Sequence, residues 1–154
     1  MNDDQQARLA KLGLELPPPP LPKWNYLATE RTGDLLYTSG QTPKRGGELA
    51  FVGRCGPEVD LETAQAAARL CALNTLSAVE DAVGLEHVAK TVKLNGYVAS
   101  ADGFVRQAEV INAASDLLTT VLGHHGTHAR TAIGVPWLPG NAPVEIETII
   151  EVAH

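Results

Sequence analysis

The chain has 154 residues, 44% hydrophobic and 19% charged, so its length fits one folded domain and its composition excludes wholesale disorder. Eighteen acidic residues against twelve basic ones give a net charge of −6, which disfavours binding to nucleic acid and to anionic membranes. The start lacks the basic, apolar character of a secretion signal, and no apolar run approaches the ~20 residues of a membrane span, so we expect a cytoplasmic protein.

The first 23 residues predict an N-terminal segment of their own. Residues 3–14 fit a short helix capped by Asp3 or Asp4, which ends before the run Pro17–Pro20. Successive prolines favour extended polyproline II structure. We interpret this tract as a rigid strap against the body of the protein, which we expect to form one domain over residues 24–154.

Three strands are expected before the first long helix. Residues 26–31 and 35–40 flank a tight turn at Gly33, a pattern typical of a β-hairpin. A second turn over 44–47 precedes a short apolar run at 49–52, where we expect a third strand.

After Asp60 the apolar period changes from that of a strand to that of a helix. Asp60 is a good N-cap, the small residues of 61–83 share one face, and Gly84 supplies a C-terminal stop. The patterns that follow predict a strand at 88–98, a helix at 104–122, and strands at 128–135 and 144–152.

The predicted order is therefore βββαβαββ. It indicates an α/β (α+β) fold, in which a mixed β-sheet carries two helices packed on one face. Because no helix remains to cover the other face of the sheet, we expect the protein to form an oligomer.

Two charged features stand out on the predicted strands. Arg130 lies within an apolar strand, and its guanidinium could hold a carboxylate ligand by two parallel hydrogen bonds, or simply reach water or a neighbouring glutamate. Glu145 and Glu147 are two apart on the last strand and so share one face, where paired carboxylates can supply a general acid or base. We expect Glu145, nearer the preceding loop, to be functional and Glu147 to be structural or at the rim.

The other polar candidates carry weaker signals. We interpret His124, His125 and His128 as a solvated turn that shapes a pocket rim, because a glycine separates them and no acidic partner lies nearby. Cys55 and Cys71 form no CxxC pair and fit reduced thiols in or near the core. We therefore expect no metal site.

Several short segments occur in one order over roughly residues 24–152. They are Gly33–Gln41, the strand ending at Tyr97 with Asp102-Gly-Phe104 after it, Ala129-Arg-Thr131, and Leu138-Pro139 followed by Val144–Glu147. Together they resemble the Rid (YjgF) family of enamine/imine deaminases. Trp24–Tyr26 and His125–Gly134 are similar to the branch described as "YjgF/chorismate-mutase-like putative endoribonucleases".

The resemblance implies a chorismate-mutase-like fold and a homotrimer with ligand clefts between subunits. Arg130 matches the family arginine that holds the carboxylate of a 2-imino or 2-enamino acid, and Glu145 matches the glutamate that orients the hydrolytic water. Tyr26, Tyr97 and Gly40 correspond to residues that line the cleft. The implied reaction is a hydrolase reaction without cofactor, which converts these acids into 2-keto acids and ammonia.

The chain also departs from the deaminase pattern. Ala132 stands where deaminases of the family usually carry cysteine, and the histidine-rich turn and the proline strap are additions. Whether the chain is an enzyme therefore stays open at this point. Three other functions stay open. The protein could bind small carboxylates as a trimer without catalysis, it could have an endoribonuclease-type activity, or it could act as a hydrolase or lyase on a chorismate-like dicarboxylate.

Overall fold

Seven strands and three α-helices make up the computed structural model, which describes residues 1–22 and 24–153. The strands are β1 (Thr29–Thr32), β2 (Leu35–Thr38), β3 (Lys44–Arg45), β4 (Glu48–Leu49), β5 (Val88–Ala99), β6 (Ala129–Val135) and β7 (Val144–Val152). The helices are α1 (Asp3–Lys11), α2 (Leu61–Val83) and α3 (Gln107–Leu122). The boundary that we predict at Lys23, and the last residue, His154, lie outside the described residues.

Five of the strands form one mixed sheet in the order β1-β2-β7-β5-β6. The β5–β6 pair is parallel and the other three pairs are antiparallel. Strand β6 ends the order and is therefore an edge strand. Two register pairs decide where the polar side chains go: Leu94 lies opposite Arg130, and Tyr97 lies opposite Glu145.

Helices α2 and α3 pack together on one face of this sheet and enclose the core. Leu94, Val98 and Ile146 point into that core and are fully buried. Contact between the layers is close at Gly96, where a Cβ atom would lie 2.6 Å from the Ile111 side chain. The predicted mixed sheet with helices on one face is confirmed.

The longest helix follows its predicted bounds because its signals are local. The Asp60 side chain accepts a hydrogen bond from the Thr63 backbone N–H at 2.8 Å, as an N-cap does. At the other end Gly84 has a φ of +80°, which a residue without a Cβ adopts most easily. Strand β7 also has its predicted bounds, while α3 begins three residues later than predicted.

The predicted third strand at 49–52 is wrong. A short hairpin forms instead, in which β3 and β4 have two residues each. Its turn is Gly46-Gly47, and both glycines have a positive φ. The hairpin is separate from the main sheet. On β7, Ile146 is already paired in a bridge with Gln41, a residue that follows β2. The first strand is also shorter than expected, so that Tyr26 lies in a bend before β1.

The N-terminal segment is docked on the body. The cap of α1 is Asn2, one residue before the predicted Asp3 or Asp4, and its side chain accepts from the Gln5 backbone N–H. Leu9 is buried in the core, and the Gln5 side chain donates to the Leu85 carbonyl at 3.0 Å. Residues 14–22 then run along the surface without regular structure.

The second face of the sheet carries no helix in the described chain. Its apolar residues include Tyr37 and Ile133, which are 41% and 46% exposed, and the half-buried Ile149. Among residues 1–22 and 24–153, none of the helices combines the length and the apolar character that a membrane span requires.

Candidate functional site

The uncovered face of the sheet carries a polar cluster on β5 and β7. The side chains alternate along β7, so Glu145 and Glu147 both project from this face, beside Asn95 and Tyr97 of β5. The Tyr97 hydroxyl and the Asn95 amide donate to Glu147 Oε1 at 3.0 and 3.1 Å. Burial and the neighbouring carboxylates raise the pKa of Tyr97, so its hydroxyl stays protonated and remains a donor. Glu147 is thus held in place by its neighbours.

Glu145 is placed differently from Glu147. Its half-buried carboxylate has no hydrogen-bond partner among the described residues. Burial is the main cause that raises its pKa, the charge of Glu147 adds to the effect, and the ammonium of Lys44 opposes it. A carboxylate that is short of partners and partly desolvated is suited to accept a proton from water near neutral pH.

Gly40 makes room for this carboxylate. A Cβ atom on Gly40 would lie 2.0 Å from Glu145 Oε1, closer than any two such atoms can approach. The backbone of Gly40 does not need a positive φ, so the absence of a side chain is what matters at this position. Two predicted site residues, Gly40 and Glu145, are therefore in direct contact.

A cavity of about 450 Å³ lies beside this contact and includes Gly40 in its wall. Tyr26, another predicted site residue, lines the same cavity and is 52% exposed. The remaining lining comes from the proline strap with Trp24 and from a second group of residues, namely Ala28, Gln41, Thr42, Lys44, Gly46, Gly47 and Asn74. Tyr26, Gly40 and Glu145 thus lie close together, and we call this group the Glu145 half-site.

Arg130 lies in a second place, on the helix side of β6. Its Nη1 donates to Asn112 Oδ1 at 2.8 Å and to Ser115 Oγ at 3.2 Å, both on α3. These two bonds use both hydrogens of Nη1. Within the part of the chain that the structure describes, the Nε–Nη2 edge makes no hydrogen bond, and that edge has the geometry for a bidentate carboxylate contact.

One copy of the chain does not bring Arg130 and Glu145 together. The parallel register puts Arg130 on the side of Leu94, which faces the helices, whereas Glu145 shares the open face with Tyr97. Two strand spacings and three residues of rise place their Cα atoms on the order of 14 Å apart. The two predicted catalytic side chains therefore form separate half-sites within one chain.

The histidine-rich turn contacts the Arg130 half-site. His128 Nε2 lies 3.0 Å from Ser115 Oγ, while His125 Nδ1 contacts the Ala89 carbonyl and the rings of His124 and His125 lie 3.8 Å apart. No group of three or more His, Cys, Asp or Glu side chains in residues 1–22 and 24–153 is arranged to hold a metal ion.

The cysteines are buried in the core, and Cys71 is close enough to Glu145 for the charge of that carboxylate to add to the rise that burial causes in the Cys71 pKa. Cys55 and Cys71 are fully buried free thiols, in agreement with the expectation of reduced core residues. Burial raises the pKa of Cys55 to about 11 and that of Cys71 well above its ordinary value, so neither is a reactive thiolate.

Sequence reasoning missed Asn112, Ser115 and Lys44. Asn112 and Ser115 are three apart on α3 and so share a helix face, a signal present in the sequence. Which strand that face meets depends on the parallel pairing of β5 with β6, which no local pattern reveals. Ala132 lies on the helix side as well, opposite Gly96, and is half-buried.

Comparisons with known proteins agree with this fold. A family model described as "YjgF/chorismate_mutase-like, putative endoribonuclease" matches residues 6–151. Protein TCP17 of Trypanosoma cruzi is 40% identical over 148 residues, which cover 95% of this chain and 92% of that protein. The crystal structure of the protein Atu1372 from Agrobacterium tumefaciens is 45% identical and superposes with a TM-score of 0.92, covering 99% of this chain and 94% of that one. A "putative endoribonuclease" from Shewanella oneidensis is 29% identical with a TM-score of 0.93, over 97% of this chain and 100% of that one.

Proposed function

This chain belongs to the YjgF/chorismate mutase-like family, and from that premise we propose that it hydrolyses 2-imino or 2-enamino acids to 2-keto acids and ammonia. The observation that carries the proposal is the unpartnered, half-buried carboxylate of Glu145, which contacts Gly40, a residue in the wall of a cavity. Such a group can take a proton from water where the substrate's electrophilic carbon is held.

The proposed chemistry needs only acid–base catalysis and orientation. Water attacks the carbon of the C=N bond while Glu145 accepts a proton from that water. The protonated Glu145 then returns that proton to the nitrogen of the carbinolamine. As the C–N bond breaks and ammonia leaves, Glu145 accepts the proton of the new hydroxyl group, so the C=O bond of the keto acid forms and the ammonia then takes up this proton as ammonium. A protonated imine is already electrophilic, so a positioned base that contributes about 10²–10⁴-fold is sufficient.

Arg130 is proposed to hold the substrate carboxylate. Its Nη1 is occupied by Asn112 and Ser115, which leaves the Nε–Nη2 edge for two parallel charge-assisted bonds. Lysine has the charge but not this planar edge, and so cannot replace it fully.

We further propose that the active site lies between subunits of a homotrimer, with Arg130 from one copy and Glu145, Gly40 and Tyr26 from the next. The proposal is supported by the separation of the two half-sites within one chain and by the position of Arg130 on an edge strand. The uncovered sheet face, with Tyr37 and Ile133 exposed, supplies apolar surface for such an assembly.

The direct test measures ammonia release from freshly generated 2-iminobutyrate and, separately, binding of 2-keto acids. Glu145→Gln should lower turnover about 100-fold or more while keto-acid binding persists. Arg130→Lys should weaken binding, and Arg130→Ala should weaken it by about 2–5 kcal/mol. Wild type that releases ammonia no faster than buffer overturns the deaminase, and retained binding would then favour the non-catalytic carboxylate-binding trimer.

A mixing experiment tests the shared site. Arg130→Ala and Glu145→Gln are each expected to be nearly inactive alone. When the two variants are unfolded together and refolded as mixed trimers, about a quarter of the interfaces should combine an intact arginine with an intact glutamate, and that share of activity should return. Absence of any recovery would place both residues of a working site on one chain.

A further inference from the structure

We propose that the proline strap, with Trp24, forms a binding subsite for the side chain of the substrate, and that the preferred substrates carry a large apolar or aromatic side chain. This inference rests on the proposed function, since it concerns the same site. The inference goes beyond the proposed function because it names the part of the molecule that selects the substrate.

The strap forms a fixed wall of the cavity. The Pro17 carbonyl accepts a hydrogen bond of 2.6 Å from the hydroxyl of Ser77, a residue of α2 that is only 3% exposed. The preceding Leu14 and Leu16 pack against the core, and α1 is docked before them. Proline restricts its own backbone, so this wall loses little conformational entropy when a ligand binds against it.

The opposite wall is held by the same face of the same helix. Asn74, three residues before Ser77 on α2 and 7% exposed, donates from Nδ2 to the carbonyls of Thr42 and Lys44 at 3.1 and 3.0 Å. Buried polar side chains of one helix thus fix both sides of the cavity. Because the hydrogen bonds of Ser77 and Asn74 hold the two walls on α2, the cavity between the walls is a fixed feature of the fold.

The cavity adjoins the proposed reaction centre. Gly40 lines the cavity and also contacts the carboxylate of Glu145, so a ligand whose reacting carbon is near Glu145 lies next to the cavity. At about 450 Å³ the space lies within the range of pockets that hold drug-sized ligands, about 300–1,000 Å³, and exceeds the need of a four-carbon imino acid.

The residues that line the cavity indicate which kind of substrate side chain it binds. Proline rings from residues 17–22, the Trp24 indole and the Tyr26 ring form an apolar wall, and Trp24 is 80% exposed in the single chain. Burial of Trp24 against an apolar side chain would remove hydrophobic surface from water on both partners. A methyl or ethyl side chain, as in the smallest imino acids, offers less apolar surface for this contact than a branched or aromatic one.

The experiment titrates the protein with pyruvate, 2-oxobutanoate, 4-methyl-2-oxopentanoate and phenylpyruvate, each a stable analogue of the corresponding imino acid. Wild type should bind phenylpyruvate at least about tenfold more tightly than pyruvate. Trp24→Ala should reduce that ratio at least about fivefold. Ser77→Ala removes the hydrogen bond that holds the start of the strap, so this variant should also reduce the ratio of the two affinities.

The matched control is Trp137→Ala. Trp137 is also exposed, at 61%, but it stacks on Arg54 and does not line the cavity, so the ratio should stay at the wild-type value. Equal affinity for all four keto acids, or a ratio unchanged by Trp24→Ala, overturns the side-chain subsite and leaves the carboxylate site standing. Failure of every keto acid to bind overturns the proposed function and the subsite together.

Discussion

The hydroxyl of Ser115 on α3 lies 3.0 Å from Nε2 of His128, and this contact determines how Ser115 meets Arg130. His128 Nδ1 is 2.6 Å from the Gly126 carbonyl, which can only accept, so in the neutral imidazole Nδ1 carries the hydrogen and Nε2 is the acceptor. Ser115 therefore donates to His128, and its oxygen lone pair accepts from Arg130 Nη1. The histidine-rich turn thus orients the guanidinium through one serine.

Ser115→Ala should weaken keto-acid binding by about 1 kcal/mol, or roughly fivefold, because Arg130 loses one of the two bonds that orient it. The loss should appear in KM with kcat nearly unchanged, since Ser115 acts through Arg130 and not on the reacting atoms. Ser115→Thr, which keeps a hydroxyl, should restore most of the affinity. Thr120→Ala, an exposed change on the same helix, is the control; a threonine variant as weak as the alanine variant would contradict a role for the hydroxyl.

Gly40→Ala should leave the protein folded and remove most of its activity. The new methyl group would lie 2.0 Å from Glu145 Oε1 and clash with it, and the end of a flexible side chain can move away at little cost. A base displaced by an ångström loses its alignment with the attacking water, so ammonia release should fall at least about tenfold while Tm changes little. Full activity with an unchanged Tm would show that Glu145 is not the base.

The pKa of Glu145 gives a prediction that needs no substrate. Burial raises this pKa in the folded protein above its unfolded value of about 4.3, so the native state binds more protons between the two values. The free energy of unfolding therefore falls as pH rises through that window and stays lowered above it. Glu145→Gln should be more stable than wild type at neutral pH, and the gap should close as pH falls below about 4, as measured by urea unfolding at fixed protein concentration.

Lys44 provides the matched variant for this measurement. Its positive charge favours the ionised form of Glu145, so Lys44→Met should raise the pKa of Glu145 further and lower stability at neutral pH. The same change in the Glu145→Gln background should cost less, because the favourable charge pair is already absent. Equal costs in the two backgrounds would show that the two groups do not interact.

The uncovered sheet face predicts that the chain associates with further copies, because exposed apolar side chains on this face gain by being buried between them. For the homotrimer that the family resemblance implies, sedimentation at micromolar concentration should give about three times the chain mass of 16.3 kDa. Ile133→Glu would bring a charge into that buried surface and should shift the mass towards that of one chain. A stable wild-type monomer would contradict a site shared between subunits.

The amino-acid pattern determines the elements whose signals lie close together in the chain. The bounds of α2 follow from the Asp60 cap and the Gly84 stop, and the two-residue spacing of Glu145 and Glu147 already places them on one face of β7. These features depend on the periodicity of helix and strand, which each residue shares with its immediate neighbours. The family resemblance was readable for the same reason, since its motifs are short and continuous.

Only the tertiary structure decided how these elements meet. The parallel register of β6 on β5 turned Arg130 towards α3 and away from Glu145, and it brought Asn112 and Ser115 to the guanidinium. The β3–β4 hairpin formed in place of the expected third strand, and Ser77 fixed the proline strap as a cavity wall. Apart from the hairpin, each of these results joins residues far apart in the chain, and such contacts are selected by packing and hydrogen bonding of the whole fold, which local periodicity does not encode.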